Sequence, residues 1–512
     1  MLQRILRDTF TTKDALSEQD TRLGLRMIVV DGVCSTAMIT LQGGVFITAF
    51  ALALGASNYE IGLLVTIAFL SQLMQLPGLW LLTRFRKRKL LTAVCVGAAR
   101  LLWIFIILIP VLFVDRGMTF MLQWLIIASL VAALPGPAWN SLLRDVVPSE
   151  KMGRVFSTRI ALGTALALSL TLAGGYFVTW WKDAHPANPL YGYSLIFAAG
   201  MVFGLLGAMA ISRIPEPTMP EVGTGNIRSL LVTPMKDRNY RRLLYFIASW
   251  NFAVNMAGPF FVIYMLKRIE ISLFLVTMLV VVSQVTNLVF LRVWGRLADR
   301  FSNKSVMSTS GLLFLLSVLA WCFTTMPEKH VLTYPLLVLI HVMSGMATAG
   351  TVIASVNIAL KLSPKEQAHG YMTVFGITGA LAGALGPLVG GVLADFFSAR
   401  SLDLAINWAD PARKLSVYAV NLKALDFLFL ISFLMGLYAL HRLVSVKEEG
   451  EVENKRIMSE FMTEMTGPLR TVSSVSGMRR IALIPVSALL GLMQTSIAAA
   501  RSVAQTEGEG RE

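Results

Sequence analysis

The chain alternates between long apolar blocks and short polar breaks. Twelve blocks are long enough to cross a bilayer: about 27–54, 60–82, 90–114, 119–142, 159–181, 193–213, 242–266, 272–294, 306–325, 333–359, 370–397 and 423–441. A helix needs roughly 20 residues to cross about 30 Å of hydrocarbon. Few charges fall inside the blocks, so the pattern predicts an all-α integral membrane protein with twelve transmembrane helices. Pro135-Gly136-Pro137 in the fourth block and Gly258-Pro259 in the seventh predict local breaks.

Lys and Arg gather in the even-numbered breaks. The clearest groups are Arg84 to Lys89, Lys151/Arg154/Arg159 and Arg238/Arg241/Arg242. The first break, Gly55 to Glu60, has none; the third has only Arg116 and the fifth only Lys182. The last odd break, about 398–422, is less clear, with Arg400, Arg413 and Lys414. The positive-inside rule therefore predicts that both termini are cytoplasmic. The net charge of +15 falls mostly on this inner rim. Anionic lipid at the cytoplasmic face accounts for it without nucleic acid as a partner.

The same marks occur twice, 216 positions apart. Thr83-Arg84-Phe85 matches Asp299-Arg300-Phe301, Pro148 and Glu150 match Pro364 and Glu366, and Gly174-Gly175 matches Gly390-Gly391. A constant offset across separated marks predicts two pseudo-symmetric six-helix bundles with a site at their seam. The expected divisions are a cytoplasmic segment 1–26, a bundle 27–213, a cytoplasmic linker 214–241, a bundle 242–442 and a cytoplasmic tail 443–512. Ile214-Pro215-Glu216-Pro217 ends the sixth helix, and Gly223, Gly225 and Asn226 suggest a flexible link. Leu2, Ile5, Leu6 and Phe10 share one side of a short interfacial helix. In the tail, Lys447-Glu448-Glu449-Gly450-Glu451 reads as a solvated run. Val486, Leu489, Leu490, Met493 and Ile497 then share a face behind Arg479-Arg480, which favours an interfacial helix over a thirteenth span or re-entrant piece. Residues 502–512 read as disordered.

Composition agrees: 55% of residues are hydrophobic and only 15% charged, against about a quarter charged in soluble proteins. The first 26 residues lack the apolar stretch of a cleavable signal. Cys34, Cys95 and Cys322 fall inside blocks and read as small buried hydrophobes, with no disulfide or zinc spacing. No nucleotide-binding fingerprint or clustered nucleophile is visible, so no catalytic residue, metal or cofactor is expected and an enzyme is not indicated.

Gly295-Arg296-Leu297-Ala298-Asp299-Arg300, between helices 8 and 9 of two six-helix halves, resembles a motif of the major facilitator superfamily. The resemblance covers roughly residues 24–442. Ser302 departs from the family's usual glycine, and the first-half copy has Thr83 in place of the acidic residue. Gly386-Pro387-Leu388-Val389-Gly390-Gly391 in helix 11 looks like the antiporter motif that the family carries in helix 5. Close helix packing is the other reading of these small residues. The resemblance implies alternating access, with helices 1, 4, 7 and 10 lining a central cavity. It makes Gly295, Asp299 and Arg300 a conformational latch, with Asp299 capping the inner start of helix 5 near Arg154 and Arg159. Thr83 would leave the matching latch uncharged.

Charges in mid-membrane are costly and are functional candidates by default. Asp31 in helix 1 is a candidate coupling carboxylate or half of a buried ion pair. Arg100 in helix 3 is expected to pair with Asp31 or with carbonyls at the helix 4 break. His341 in helix 10 is a candidate relay or a satisfied core histidine. Substrate contact is expected from Gln42, Trp139, Asn140, Trp250, Asn251, Asn255 and His341, with Gln284 and Asn287 further along the same path. Interhelical hydrogen bonding is the alternative role for the amides. The expected function is secondary transport of a small organic solute by a monomer in a bacterial inner membrane, with proton or sodium coupling open. A sensor signalling through its tail and a lipid flippase are the other readings.

Overall fold

The computed structural model describes residues 12–113, 116–219, 227–326, 328–409 and 414–448. Twelve helices in it are long and apolar enough to span a membrane. Spans 1 to 6 cover Glu18–Ala53, Asn58–Phe85, Arg88–Leu112, Gly117–Val146, Ser149–Ala184 and Tyr191–Ser212. Spans 7 to 12 cover Arg238–Arg268, Leu273–Arg300, Asn303–Phe323, Thr333–Lys361, Lys365–Phe397 and Leu425–Val444. The face bearing residues 12 and 448 is the inner face by the positive-inside expectation.

Local chemistry sets the ends and breaks. Span 1 starts at Glu18, inside the stretch expected to be the cytoplasmic N-terminal segment, because Ser17 and Asp20 form a capping box. Span 2 starts with another, from Ser57 and Glu60. Span 1 breaks at Gly43, and Gly44 sits at φ +51°, a left-handed conformation that glycine adopts without strain. Span 7 breaks at Gly258-Pro259 and ends in a π-helical turn, Tyr264–Arg268. The two breaks occupy matching places in the two halves. Span 4 breaks after Ala133, before Gly136-Pro137, whereas span 11 runs unbroken through Pro387.

Spans 1 and 7 are the hubs. Span 1 packs on spans 5 and 6, and span 7 on spans 11 and 12. Between the bundles, span 2 packs on span 11 and span 5 on span 8. The hydrophobic core follows this plan. Ile28, Leu142, Val155 and Ile214 form an inner cluster of the first bundle. Tyr240, Trp294, Ile358 and Leu443 belong to an inner cluster of the second. The largest cluster lies toward the outer side and joins both bundles, with Phe46, Phe50 and Phe197 from one and Phe260, Trp321 and Phe429 from the other.

Four short strands add to the helical plan. β1, Thr12–Lys13, pairs in parallel with β2, Glu216–Pro217, and ties the start of the chain to the end of span 6. β3, Ser401–Ala409, and β4, Lys414–Lys423, form an antiparallel hairpin between spans 11 and 12, with an irregularity at Leu404/Ala405. The linker contains a helix, Ile227–Lys236, resting on span 11. The expected N-terminal amphipathic turn, the flexible residues 223–226 and the tail beyond 448, including its amphipathic helix, lie outside the described residues.

Candidate functional site

A buried ion cluster sits in the inner part of the first bundle. Asp31 is 3% exposed and Arg100 6%. Arg100 Nη2 lies 3.5 Å from Asp31 Oδ1, and Arg159 Nη2 lies 3.6 Å from Asp31 Oδ2. Ser35 Oγ donates to Asp31 at 3.0 Å and accepts from Arg100 at 2.7 Å. Arg100 also donates to the Gly204 carbonyl of span 6, not to the break in span 4. Arg159, counted with the inner rim from its sequence neighbours, crosses instead over Gly32 of span 1, where a Cβ would overlap its side chain. Its guanidinium lies 5.9 Å from the Trp139 ring centroid. The available signal was Gly32 beside Asp31, a gap on span 1 that a long side chain fills.

The other candidates separate. Asn140 is exposed and Trp139 half-buried on span 4. Gln42 is 3% exposed and faces span 6; its Nε2 donates to the Phe197 carbonyl at 3.0 Å, while its Oε1 has no hydrogen-bond partner. Asn251 and Asn255 are half-buried and donate to carbonyls one turn back on their own helix, those of Ile247 and Asn251. Trp250 packs inside the second bundle against Phe314 and Gly311 of span 9. His341 lies in the core of span 10. It is 6% exposed, its Nδ1 lies 2.8 Å from the Leu337 carbonyl, and its ring lies edge-on to Trp321. Asn287 of span 8 donates to the Gly345 carbonyl of span 10, whereas Gln284 is exposed.

On the inner face Asp299 of the expected latch does not reach the start of span 5 with any hydrogen bond or ion pair among the described residues. Asp299 is exposed, with no hydrogen bond or ion pair to any described residue, and lines a pocket of about 290 Å³ with Asn303, Asn357 and Lys361. Arg159, placed near its expected partner, is held by Asp31 instead. Arg300 lies over Phe301 at 5.2 Å, and Gly295 has open space where a Cβ would stand. The named contacts of span 8 with span 5 lie at the outer side, Thr277 on Gly175 and the Phe274 amide on Thr179. Two carboxylates that the sequence reading missed cap the inner helix starts. Glu216 accepts from the Arg88 amide of span 3 at 2.6 Å. Glu448 accepts from the Asn303 and Lys304 amides of span 9 at 3.3 and 2.7 Å, and from Lys361 at 3.0 Å. Glu448 is therefore 7% exposed, not part of a solvated run. The fully buried Arg88 pairs with Asp145 and Glu216 and takes the Pro217 carbonyl.

On the outer face the bundles exchange helix caps. Asp395 at the end of span 11 accepts from the Asn58 and Tyr59 amides of span 2 at 3.1 and 2.9 Å. Thr179, 216 positions before Asp395, accepts from the Phe274 amide of span 8 at 3.2 Å. Phe274 is likewise 216 positions after Asn58. The glycine pairs sit under these caps. Gly174 faces Phe46 of span 1 and Gly175 faces Thr277 of span 8. Gly390 faces Met256 and Phe260 of span 7, and Gly391 faces Asn58 and Tyr59 of span 2. Gly386 packs on the span 7 backbone, and the Pro387 carbonyl meets Gly62 of span 2. Thr66 of span 2 donates to the Ala384 carbonyl of span 11 at 2.8 Å.

Known proteins share this architecture. A bacterial homologue of the iron transporter ferroportin, solved in an inward-facing state, superimposes with a TM-score of 0.58 at 13% identity, covering 87% of this chain and 100% of that one. The nucleoside transporter NupG gives 0.58 at 14% identity, covering 83% and 98%. A D-xylose–proton symporter gives 0.58 at 15% identity, covering 85% and 98%. In sequence, an uncharacterised MFS-type transporter of Bacillus subtilis (strain 168), YxiO, is 24% identical over 260 residues. The match covers 49% of this chain and 59% of that relative's length. The Major Facilitator Superfamily profile matches residues 242–500, half of the chain. This multi-pass membrane protein belongs to the Major Facilitator Superfamily.

Proposed function

We propose that the chain is a secondary transporter that carries a small organic solute by alternating access, as a monomer in a bacterial inner membrane with both termini in the cytoplasm. The observation that carries this reading is the one-sided seal. The cross-bundle core and the exchanged caps lie on the outer side, while Asp299 on the inner side is unengaged. An inner Asp299 that no described residue engages and an outer cap that is engaged fit one half of a rocking cycle. Solved structures of the same fold include a nucleoside transporter and a D-xylose–proton symporter, which supports an organic solute and makes proton coupling compatible with the fold. In this reading Asn140, Asn251 and Asn255 contact the solute, with Gln42 behind them at the break in span 1. Asp31 is the carboxylate through which an ion would couple.

The test is conformational and needs no substrate. Spin labels at Asn188 and Ser398 report the outer gap, and labels at Arg86 and Lys365 the inner gap. Two populations with opposite inner and outer distances are expected, and Asp299→Asn should deplete the one closed on the inside. A single distance at both gaps under all conditions, or an Asp299→Asn distribution identical to that of the unmodified chain, refutes the reading.

A further inference from the structure

The ion cluster of the first bundle does not balance. Two guanidiniums, Arg100 and Arg159, share the single carboxylate of Asp31. The neighbouring acids are committed elsewhere: Asp145 to Arg88 and Arg144, Glu216 to Arg88, and Glu150 to Ser149. One positive charge is therefore left over within the first bundle.

The excess belongs to Arg159. Arg100 is held from three sides, donating to Ser35 and the Gly204 carbonyl and pairing with Asp31. Arg159 carries five N–H donors, yet makes no hydrogen bond to any described residue. Its approach to Asp31, at 3.6 Å, is an ion pair only. Its side chain is 23% exposed, and Trp139 lies near the guanidinium. Asp31 does not need Arg159 to stay in place, because Ser35 and Arg100 hold its other oxygen. An empty fork of donors, set beside an aromatic ring and open to solvent, has the geometry that binds carboxylate or phosphoryl oxygens in pairs.

We propose that Arg159 is an anion-binding residue, taking the carboxylate or phosphoryl group of the carried solute in place of its long contact with Asp31. This narrows the solute class to organic anions and rests on the transporter reading. A lipid headgroup presents the same phosphoryl chemistry, so the experiment must separate the two sources.

The full chain, purified in detergent, is unfolded thermally against charge-matched probe pairs at constant ionic strength: nicotinate with nicotinamide, and benzyl phosphate with benzyl alcohol. Binding to the folded state raises the unfolding temperature. The acids are expected to stabilise and their neutral partners not. Arg159→Gln should weaken the acids at least about tenfold. Arg159→Lys should retain part of the effect, since it keeps the charge but not the fork. Asp31→Asn should tighten acid binding by removing the competing carboxylate. Arg159→Gln removes an ion pair but no hydrogen bond, so each shift is read against that variant's own unliganded unfolding temperature. The same series is run in phosphatidylglycerol and phosphatidylcholine nanodiscs. Stabilisation only by phosphatidylglycerol, lost in Arg159→Gln, keeps Arg159 as the anion site but overturns the solute source. Equal responses to acids and neutral partners, or acid binding unchanged in Arg159→Gln, overturn the proposal. Binding is read without turnover, so its failure leaves the distance test of alternating access standing on its own.

Discussion

Glu448 shows how much one side chain can do beyond its local sequence. Burial alone would raise its pKa, but hydrogen bonds from Asn303, Lys304 and Lys361 outweigh this and hold the carboxyl below the usual glutamate range. A carboxylate with a lowered folded-state pKa contributes stability that is fully present above the unfolded value and lost as pH falls through the folded one. Glu448→Gln should therefore lower thermal stability at neutral pH, by about 1–2 kcal/mol for a lost charged cap. The gap between Glu448→Gln and the unmodified chain should close as a pH series of unfolding curves descends below the glutamate range; a gap constant with pH would count against the cap. The sequence reading put Glu448 in solvent because a Lys-Glu-Glu run looks solvated. Nothing nearby signals that its partner is a helix start 145 positions back. Asp31 and Arg100 were easier to find, because a charge inside an apolar block stands out. Trp250 beside two amides reads as a binding surface in the sequence, whereas its packing against Phe314 and Gly311 depends on a helical phase that only the fold sets.

At the level of elements, the spans were legible from hydropathy, and the breaks at Gly258-Pro259 and near Pro135-Gly136-Pro137 from residues that cannot continue a helix. The break after Gln42 was not, since two glycines inside an apolar run signal packing as readily as a turn. The matched glycine pairs were visible as a repeat, but their geometry was not: in each pair the first faces a span of its own bundle and the second a span of the other. Their caps differ in charge, Asp395 against Thr179, although they hold equivalent positions. An anionic group at a helix start is stabilised by the helix dipole as well as by its hydrogen bonds. Asp395→Ala should thus move the outer-gap distances toward the open population by about 1–2 kcal/mol, or roughly five- to thirtyfold. Thr179→Val, which removes one neutral bond, should shift them by about fivefold or less. Equal shifts from the two variants would show that charge plays no part in the seal.

For the whole molecule, two halves of six spans followed from the 216-residue offset, which both outer caps obey. The offset fails at the end of each bundle, where the β3–β4 hairpin lengthens the connection between spans 11 and 12. This hid the equivalence of Glu216 and Glu448. It also decides how a tail truncation must be made. A chain ending at residue 448 keeps the cap on span 9 and should still exchange between inner-open and outer-open states. One ending at 442 loses Glu448 and should be less stable; comparing both by thermal unfolding and by the distance pairs separates a tail that signals from one that merely anchors. The exchanged outer caps carry a different consequence, for how the protein is made. The Tyr59 amide finds its acceptor 336 positions later in the chain, at Asp395. The first bundle must therefore enter the bilayer with the first turn of span 2 unfinished and wait for the second to complete it. Assembly of the two halves is then sensed at the outer surface by a few backbone amides, which remain available to water or to a membrane quality-control factor until the last spans arrive.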